Sequence, residues 1–236
     1  MTAKYKRILL KISGEALAGA NRTGFDFKVM GEVCDAIRDC VAQGIEVGVV
    51  IGGGNFWRGV RNGEGHIERT RADRMGMLAT VMNCLAVSDV LEQHGVPARV
   101  MTALEMPAFG ELYTHERAMK HLANGKVVLF GGGTGHPYFS TDTGTVLRAA
   151  EIRADVILLA KNVDGVYSAD PAKDPSAVKY DEISYDEVLA KRLGVMDLTA
   201  TSLAMDNSIP VYVFALRDPK NILRVVAGEN VGTLVH

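Results

Sequence analysis

Two apolar runs in this chain end in the same word. Val47-Gly48-Val49-Val50-Ile51 leads into Gly52-Gly53-Gly54-Asn55, and Val127-Val128-Leu129-Phe130 leads into Gly131-Gly132-Gly133-Thr134-Gly135. A short β-branched run bounded by glycine predicts a strand buried on both faces, as in a parallel sheet. Three glycines at the C-terminal end of such a strand make a loop whose backbone can come very close to a ligand. Open parallel sheets bind ligands at that edge. Bare N–H groups there suit anionic oxygen, above all phosphate. The repeat therefore implies phosphorylated ligands at two neighbouring positions.

The surrounding pattern supports such a sheet. Residues 8–12 predict a first strand entering Ser13-Gly14-Glu15, with a polar loop at residues 19–24. Val29, Val33, Ile37 and Val41 keep helical spacing, and a second strand follows at 45–51. A long helix over residues 72–94 carries Met75, Leu78, Met82, Leu85 and Leu91, and Gly95-Val96-Pro97 stops it. Strands at 98–101, 127–130 and 156–160 alternate with helices around 115–122 and 142–151. Then comes Lys161-Asn162-Val163-Asp164-Gly165-Val166-Tyr167, dense in turn-formers, and a proline-marked stretch at Asp170-Pro171 and Asp174-Pro175. Ser184 with Glu187 predicts a capped helix start. Helices at 201–207 and from Asp218-Pro219, and strands at 211–214 and 233–235, complete the pattern. The expected fold class is α/β, a three-layer α/β/α sandwich with a mainly parallel central sheet. The 236 residues fit a single domain. Its character changes near Glu151, which divides it into lobes of residues 1–150 and 151–236.

Twenty-six basic against 28 acidic side chains leave a net charge of −2. That balance argues against a non-specific nucleic-acid binder or a membrane-surface protein. It favours a small nucleotide, met by locally concentrated positive charge, over a polymer. The apolar run after the basic N-terminus is too short for a signal h-region, and no stretch reads as long and apolar enough to span a bilayer. Cys34, Cys40 and Cys84 lack CxxC spacing and read as buried small hydrophobes in a reducing cytosol, so a cytoplasmic location is expected. The six histidines show no metal spacing. No GxxxxGK[ST] P-loop, no GxGxxG after the first strand, no GxSxG and no HExxH is present.

Several residues could carry chemistry. Lys11 lies inside an apolar strand beside a Ser-Gly turn. It is either a strand-edge lysine with its head in water or a cation aimed at a phosphoryl group, and Gly14 favours the second. Phosphoryl transfer needs positive charge and fixed N–H donors around the moving group. Arg58, four residues after Gly54, is either a surface arginine or a bidentate phosphate clamp. Asp73 begins the long helix and suits either its N-terminal turn or ribose hydroxyls. Asp142 precedes a helix and is either its N-cap or an acid at the site centre that orients Lys11. In the loop holding Asn162, Tyr167 and Asp170, tyrosine could stack on a base and Asn or Asp could bond its edge.

Six segments carry a resemblance. They are Lys11-Ile12-Ser13-Gly14-Glu15-Ala16-Leu17, residues 49–59, residues 73–83 (Asp-Arg-Met-Gly-Met-Leu-Ala-Thr-Val-Met-Asn), residues 134–142 (Thr-Gly-His-Pro-Tyr-Phe-Ser-Thr-Asp), residues 163–174 and Gly194-Val195-Met196-Asp197-Leu198. Together they resemble the bacterial uridylate (UMP) kinases of the amino-acid kinase superfamily. The glycine motifs are superfamily-wide; the segments 73–83 and 134–142 are much more specific to the UMP kinases.

The resemblance implies ATP-dependent phosphorylation of UMP to UDP with Mg²⁺, in pyrimidine nucleotide biosynthesis. By similarity, Lys11, Ile12, Ser13, Gly14, Gly54 and Arg58 meet ATP phosphates, and Asn162, Tyr167 and Asp170 lie around its adenosine. Gly53, Asp73, Thr134, Gly135, His136, Pro137, Tyr138, Phe139, Ser140 and Thr141 hold UMP. Lys11, Arg58 and Asp142 form the catalytic set. The metal ligands are not assigned. Lys161 stands where many relatives have threonine. The loop 19–24 corresponds to a region tied to GTP regulation in some members, so GTP and UTP are candidate effectors. The family usually forms homohexamers, for which the long helix could supply contacts; from spacing alone it would be a core helix. Rival readings are another superfamily kinase acting on a carboxylate and a non-catalytic nucleotide sensor on the same scaffold. A dinucleotide oxidoreductase lacks its fingerprint here.

Overall fold

The computed structural model describes residues 3–57 and 66–236. Its strands are β1 (Arg7–Ile12), β2 (Glu46–Ile51), β3 (Ala98–Thr102), β4 (Glu111–Leu112), β5 (Val127–Gly131), β6 (Val156–Lys161), β7 (Val166–Tyr167), β8 (Lys179–Tyr180), β9 (Glu182–Ile183), β10 (Val211–Ala215) and β11 (Gly232–Val235). Nine of them form one sheet in the order β4-β3-β5-β2-β1-β6-β10-β11-β9. Every pair from β4 to β10 is parallel, and β11 returns antiparallel to β10. β7 and β8 make a separate antiparallel hairpin.

The two-residue period of a strand sorts side chains between the faces. Ile8, Leu10 and Ile12 of β1 pack with α2 (Phe27–Ala42), α3 (Arg69–Gln93) and α8 (Asn221–Val226). Leu9 packs on the other face with α4 (His115–Ala123), α5 (Thr141–Glu151), α6 (Tyr185–Ala190) and α7 (Leu198–Asp206). The expected three layers and mainly parallel sheet are present, with strands from both halves of the chain in one sheet. All three cysteines are buried, and burial pushes each thiol up to about 12.

Three differences from the sequence reading have physical causes. First, β1 runs into a short helix, α1 (Gly14–Ala18), where a turn was expected; Ser13 caps it by accepting from the Ala16 N–H at 3.2 Å. Second, β4, β7, β8 and β9 are two-residue strands, too short to show a period. Third, the expectation that no stretch could span a bilayer is corrected. By length and composition α3 is long and apolar enough, with an 18-residue window of mean hydropathy 1.3. Its charges are confined to its ends, leaving residues 75–88 without one. In the fold it lies against the sheet, with Ala79, Cys84, Val87 and Leu91 buried, while Met75, Leu78, Met82 and Leu85 face outward and are exposed.

Candidate active site

Both glycine loops converge on α3. After β2, a Cβ on Gly53 would lie 2.7 Å from the Gly76 carbonyl oxygen and 2.9 Å from the Ala79 Cβ. Only a bare α-carbon lets this loop sit on the helix. Asn83, fully buried on α3, donates to the Gly52 carbonyl at 2.7 Å. Asn83 and Asn55 exchange two amide hydrogen bonds, at 2.8 and 3.0 Å, and Asn55 also donates to the Gly24 carbonyl at 2.9 Å. After β5, the Gly132 N–H donates to the Thr80 hydroxyl at 2.8 Å. Thr80 and Asn83 belong to the segment 73–83 that carries the resemblance, but no role was expected of either. The available signal was two polar residues three apart on the buried face of an apolar helix.

Strand register explains the central charge pair. Lys11 shares a parity with Leu9, so it points to the face covered by α5. There its Nζ meets Asp142 Oδ1 at 2.8 Å, with both side chains largely shielded from solvent. Asp142 is free to do this because it is not the N-cap. Ser140 holds that position, accepting from the Thr143 N–H at 3.1 Å. The Ser140 hydroxyl in turn donates to the carboxylate of Asp197, which caps α7 by accepting from the Ala200 N–H at 3.0 Å. Asp197 thus joins the segment 134–141 to the second half of the chain. Lys161, at the end of β6, has the parity of Ile157 and Leu159 and lies on the same face as Lys11.

One cavity, of about 190 Å³, opens between the glycine loops and α3. It is lined by Gly53, Asp73, Thr134, His136, Phe139, Ser140 and Thr141 from the set expected at UMP, by Gly54 from the set expected at ATP, and by Trp57 and Thr80 in addition. Trp57 is fixed by its indole N–H, which donates to the Ala72 carbonyl at 2.8 Å. Asp73 Oδ2 accepts from Arg69 Nε at 2.8 Å and from the Tyr138 N–H at 2.9 Å, so among the described residues Oδ1 keeps its acceptor capacity. Tyr138 does not line the cavity. It adopts φ 70°, strained for a side chain of its size, and its ring lies 5.0 Å from the Arg69 guanidinium. Gly135 and Pro137 also stand outside the lining.

A second cavity, of about 470 Å³, is lined by Lys161, Tyr167, Asp170, Lys191, Arg192 and Val195 among others. The hairpin carrying Tyr167 is pinned by buried Thr233 of β11, which accepts from the Val166 N–H at 2.9 Å and donates to the Tyr180 carbonyl. The Tyr167 hydroxyl donates to Asp164 at 2.7 Å, which holds that carboxyl below its usual range, against burial and aided by Lys179. Asp170 shapes its own turn, accepting from the Ala172 N–H at 3.0 Å. Asn162 is not with them; it lines a neighbouring cavity with Glu15, Arg22 and Arg217. A Cβ on Gly14 would run into Asn55 and the Gly52 carbonyl, so β1 and β2 present their loops side by side. Arg58 lies outside the described residues.

Known proteins share this fold. The amino acid kinase family model matches residues 6–215. The UMP kinase from Bacillus anthracis is 42% identical, with a TM-score of 0.95 over 98% of this chain and 96% of its own. The UMP kinase from Ureaplasma parvum is 36% identical, with a TM-score of 0.93 over 98% and 99%. The uridylate kinase from Archaeoglobus fulgidus is 31% identical, with a TM-score of 0.73 over 97% and 99%.

Proposed function

The chain belongs to the amino acid kinase family, among its UMP kinases, and from that premise we propose that it transfers the γ-phosphoryl group of ATP to UMP, giving UDP and ADP. UMP occupies the cavity between the glycine loops, with Asp73 Oδ1 accepting from its ribose. ATP occupies the cavity walled by Tyr167 and Asp170. The observation that carries this assignment is the Lys11–Asp142 pair, 2.8 Å apart on the sheet face that also bears Lys161. Asp142 follows Thr141 of the first cavity, and its charge acts on Lys161 of the second.

The chemistry asks little of the protein beyond placement and charge. The acceptor is a phosphate whose second pKa is about 6, so its oxygen is already nucleophilic near neutrality and no base is needed. That oxygen attacks Pγ, the bond from Pγ to the β,γ-bridging oxygen breaks, and ADP carries off the electron pair. Lys11 and the glycine-loop N–H groups stabilise the charge on the moving group. Among the described residues no cluster of three metal-ligating side chains exists. That suits Mg²⁺, which keeps several waters and is held mainly by nucleotide phosphates with one or two carboxylates. Asp142 is the carboxylate positioned to hold it, and the ion would supply further neutralisation of phosphate charge.

The two lobes divide the labour, residues 1–150 binding UMP and 151–236 binding ATP. The enzyme acts in pyrimidine nucleotide biosynthesis in the cytoplasm and assembles as a homohexamer. The exposed row of Met75, Leu78, Met82 and Leu85 on α3 supports a contact between copies. GTP and UTP are its candidate effectors through residues 19–24, which Asn55 bonds to the first glycine loop. A phosphotransfer screen with ATP, Mg²⁺ and UMP, CMP or aspartate tests the activity. Phosphorylation of UMP above the others is expected; preference for aspartate, or none at all, would overturn it. The same assay with GTP or UTP added reads the effector response.

A further inference from the structure

We propose that Lys161 is a second catalytic cation, binding the β- and γ-phosphoryl oxygens of ATP beside Lys11. This rests on the assignment of the second cavity to ATP. The geometry comes from the sheet. β1 and β6 are neighbours in parallel register, with Lys11 opposite Leu159. Lys161 lies two residues farther along β6 on the same face, at the edge where the cavity opens.

Its surroundings lack the anion that a half-buried cation needs. The Nζ donates to the carbonyls of Gly194, at 3.3 Å, and Val195. No carboxylate among the described residues lies within ion-pair distance of it. Asp142 is paired with Lys11. Among the described residues, two lysines and one aspartate therefore leave an excess positive charge on this face of the sheet. Burial is what chiefly weakens the hold of Lys161 on its proton; Asp142 opposes it, and Lys11 adds a smaller push in the same direction as burial. Across the cavity stand Tyr167, Asp170, Lys191 and Arg192. A half-buried cation on neutral partners is costly, and a polyphosphate would offset that cost. An ammonium has three donors. Two are used, and the third remains for a phosphoryl oxygen without disturbing the loop at 194–195.

The competing role is a brace, in which Lys161 only fastens Gly194 and Val195. Calorimetric titration of ATP and of adenosine, without UMP and without turnover, separates the two. Lys161→Met is expected to weaken ATP about 10- to 100-fold, as for the loss of a hydrogen bond between charged groups, and to leave adenosine unchanged. Wild-type protein should take up protons when it binds ATP at alkaline pH, because the anion raises the affinity of Lys161 for its proton. Lys161→Arg should bind ATP but show less of that uptake, since arginine stays charged. Equal losses for ATP and adenosine, with a lowered Tm, would make Lys161 a brace and overturn the proposal. So would ATP binding unchanged in Lys161→Met, or proton uptake unchanged in Lys161→Arg, the variant that preserves the fold if methionine does not. These titrations contain no acceptor, so an acceptor other than UMP would leave their outcome untouched.

Discussion

The two glycine triplets look alike in sequence and are glycine for different reasons. The first, Gly52-Gly53-Gly54, has no residue at positive φ. Its need is space, because Gly53 presses on the backbone of α3. In the second, Gly132 and Gly133 stand at φ 81° and 58°, and a Cβ on Gly133 would meet nothing within 4 Å. Gly131, at the end of β5, lies close to Val81 of α3, where a Cβ would come within 3.1 Å, but the need of the two glycines that make the loop is conformational. A loop that cannot move from its helix suits the fixed donors of a transfer site. A left-handed turn re-aims the chain, here into the segment 134–141 that walls the smaller cavity. The same word thus marks two jobs, and α3 holds both, through Asn83 on one side and Thr80 on the other.

Substitutions can break this contrast, and the largest effect belongs to the transfer side. Lys11→Ala should lower kcat on the order of 10²-fold or more, as the loss of one preorganised electrostatic contact does; steady-state kinetics read it, and an unchanged kcat would remove Lys11 from the site. Gly53→Ala should cost about 3 kcal/mol, the upper end of overpacking, because the obstacle is helix backbone. Denaturant unfolding measures that cost. Thr80→Val strands the buried Gly132 N–H and should cost about 2 kcal/mol, with UMP binding weakened more than ATP binding. Gly133→Ala meets no neighbour and should cost only about 1 kcal/mol, the strain of a left-handed alanine. Gly133→Asn should cost less, since asparagine tolerates that region. A Gly133→Ala loss as large as that of Gly53→Ala would erase the distinction between the loops.

Local chemistry explains what was legible in the sequence. β-Branched runs and glycines are short-range signals, so β1, β2, β5 and β6 and both loops could be read directly. Placement in the chain already made Lys11, Asp73 and Asp142 candidates, and the resemblance added which nucleotide each would serve. The rest depends on contacts between distant residues. Ser140 and Asp197 meet across 57 positions, and Thr233 reaches Val166 across 67. No local pattern says that Ser140 rather than Asp142 caps α5, yet that choice frees Asp142 for Lys11. Neither does a pattern show that Asn162 faces a different cavity from Tyr167 and Asp170. The apolar middle of α3 misleads for a related reason. Its outward residues have the composition of a core, and only the packed fold tells the two faces apart.

The division of labour between the loops is tested most directly by titrating Asp73→Asn with UMP and, separately, with ATP. Asp73 ties α3 to the backbone of Tyr138 and lines only the smaller of the two cavities proposed for the nucleotides. UMP affinity should fall about tenfold or more, as when a charged acceptor is lost, while ATP affinity stays within about twofold. Equal weakening of both nucleotides, or loss of ATP alone, would contradict the assignment of the second glycine loop and its segment to UMP.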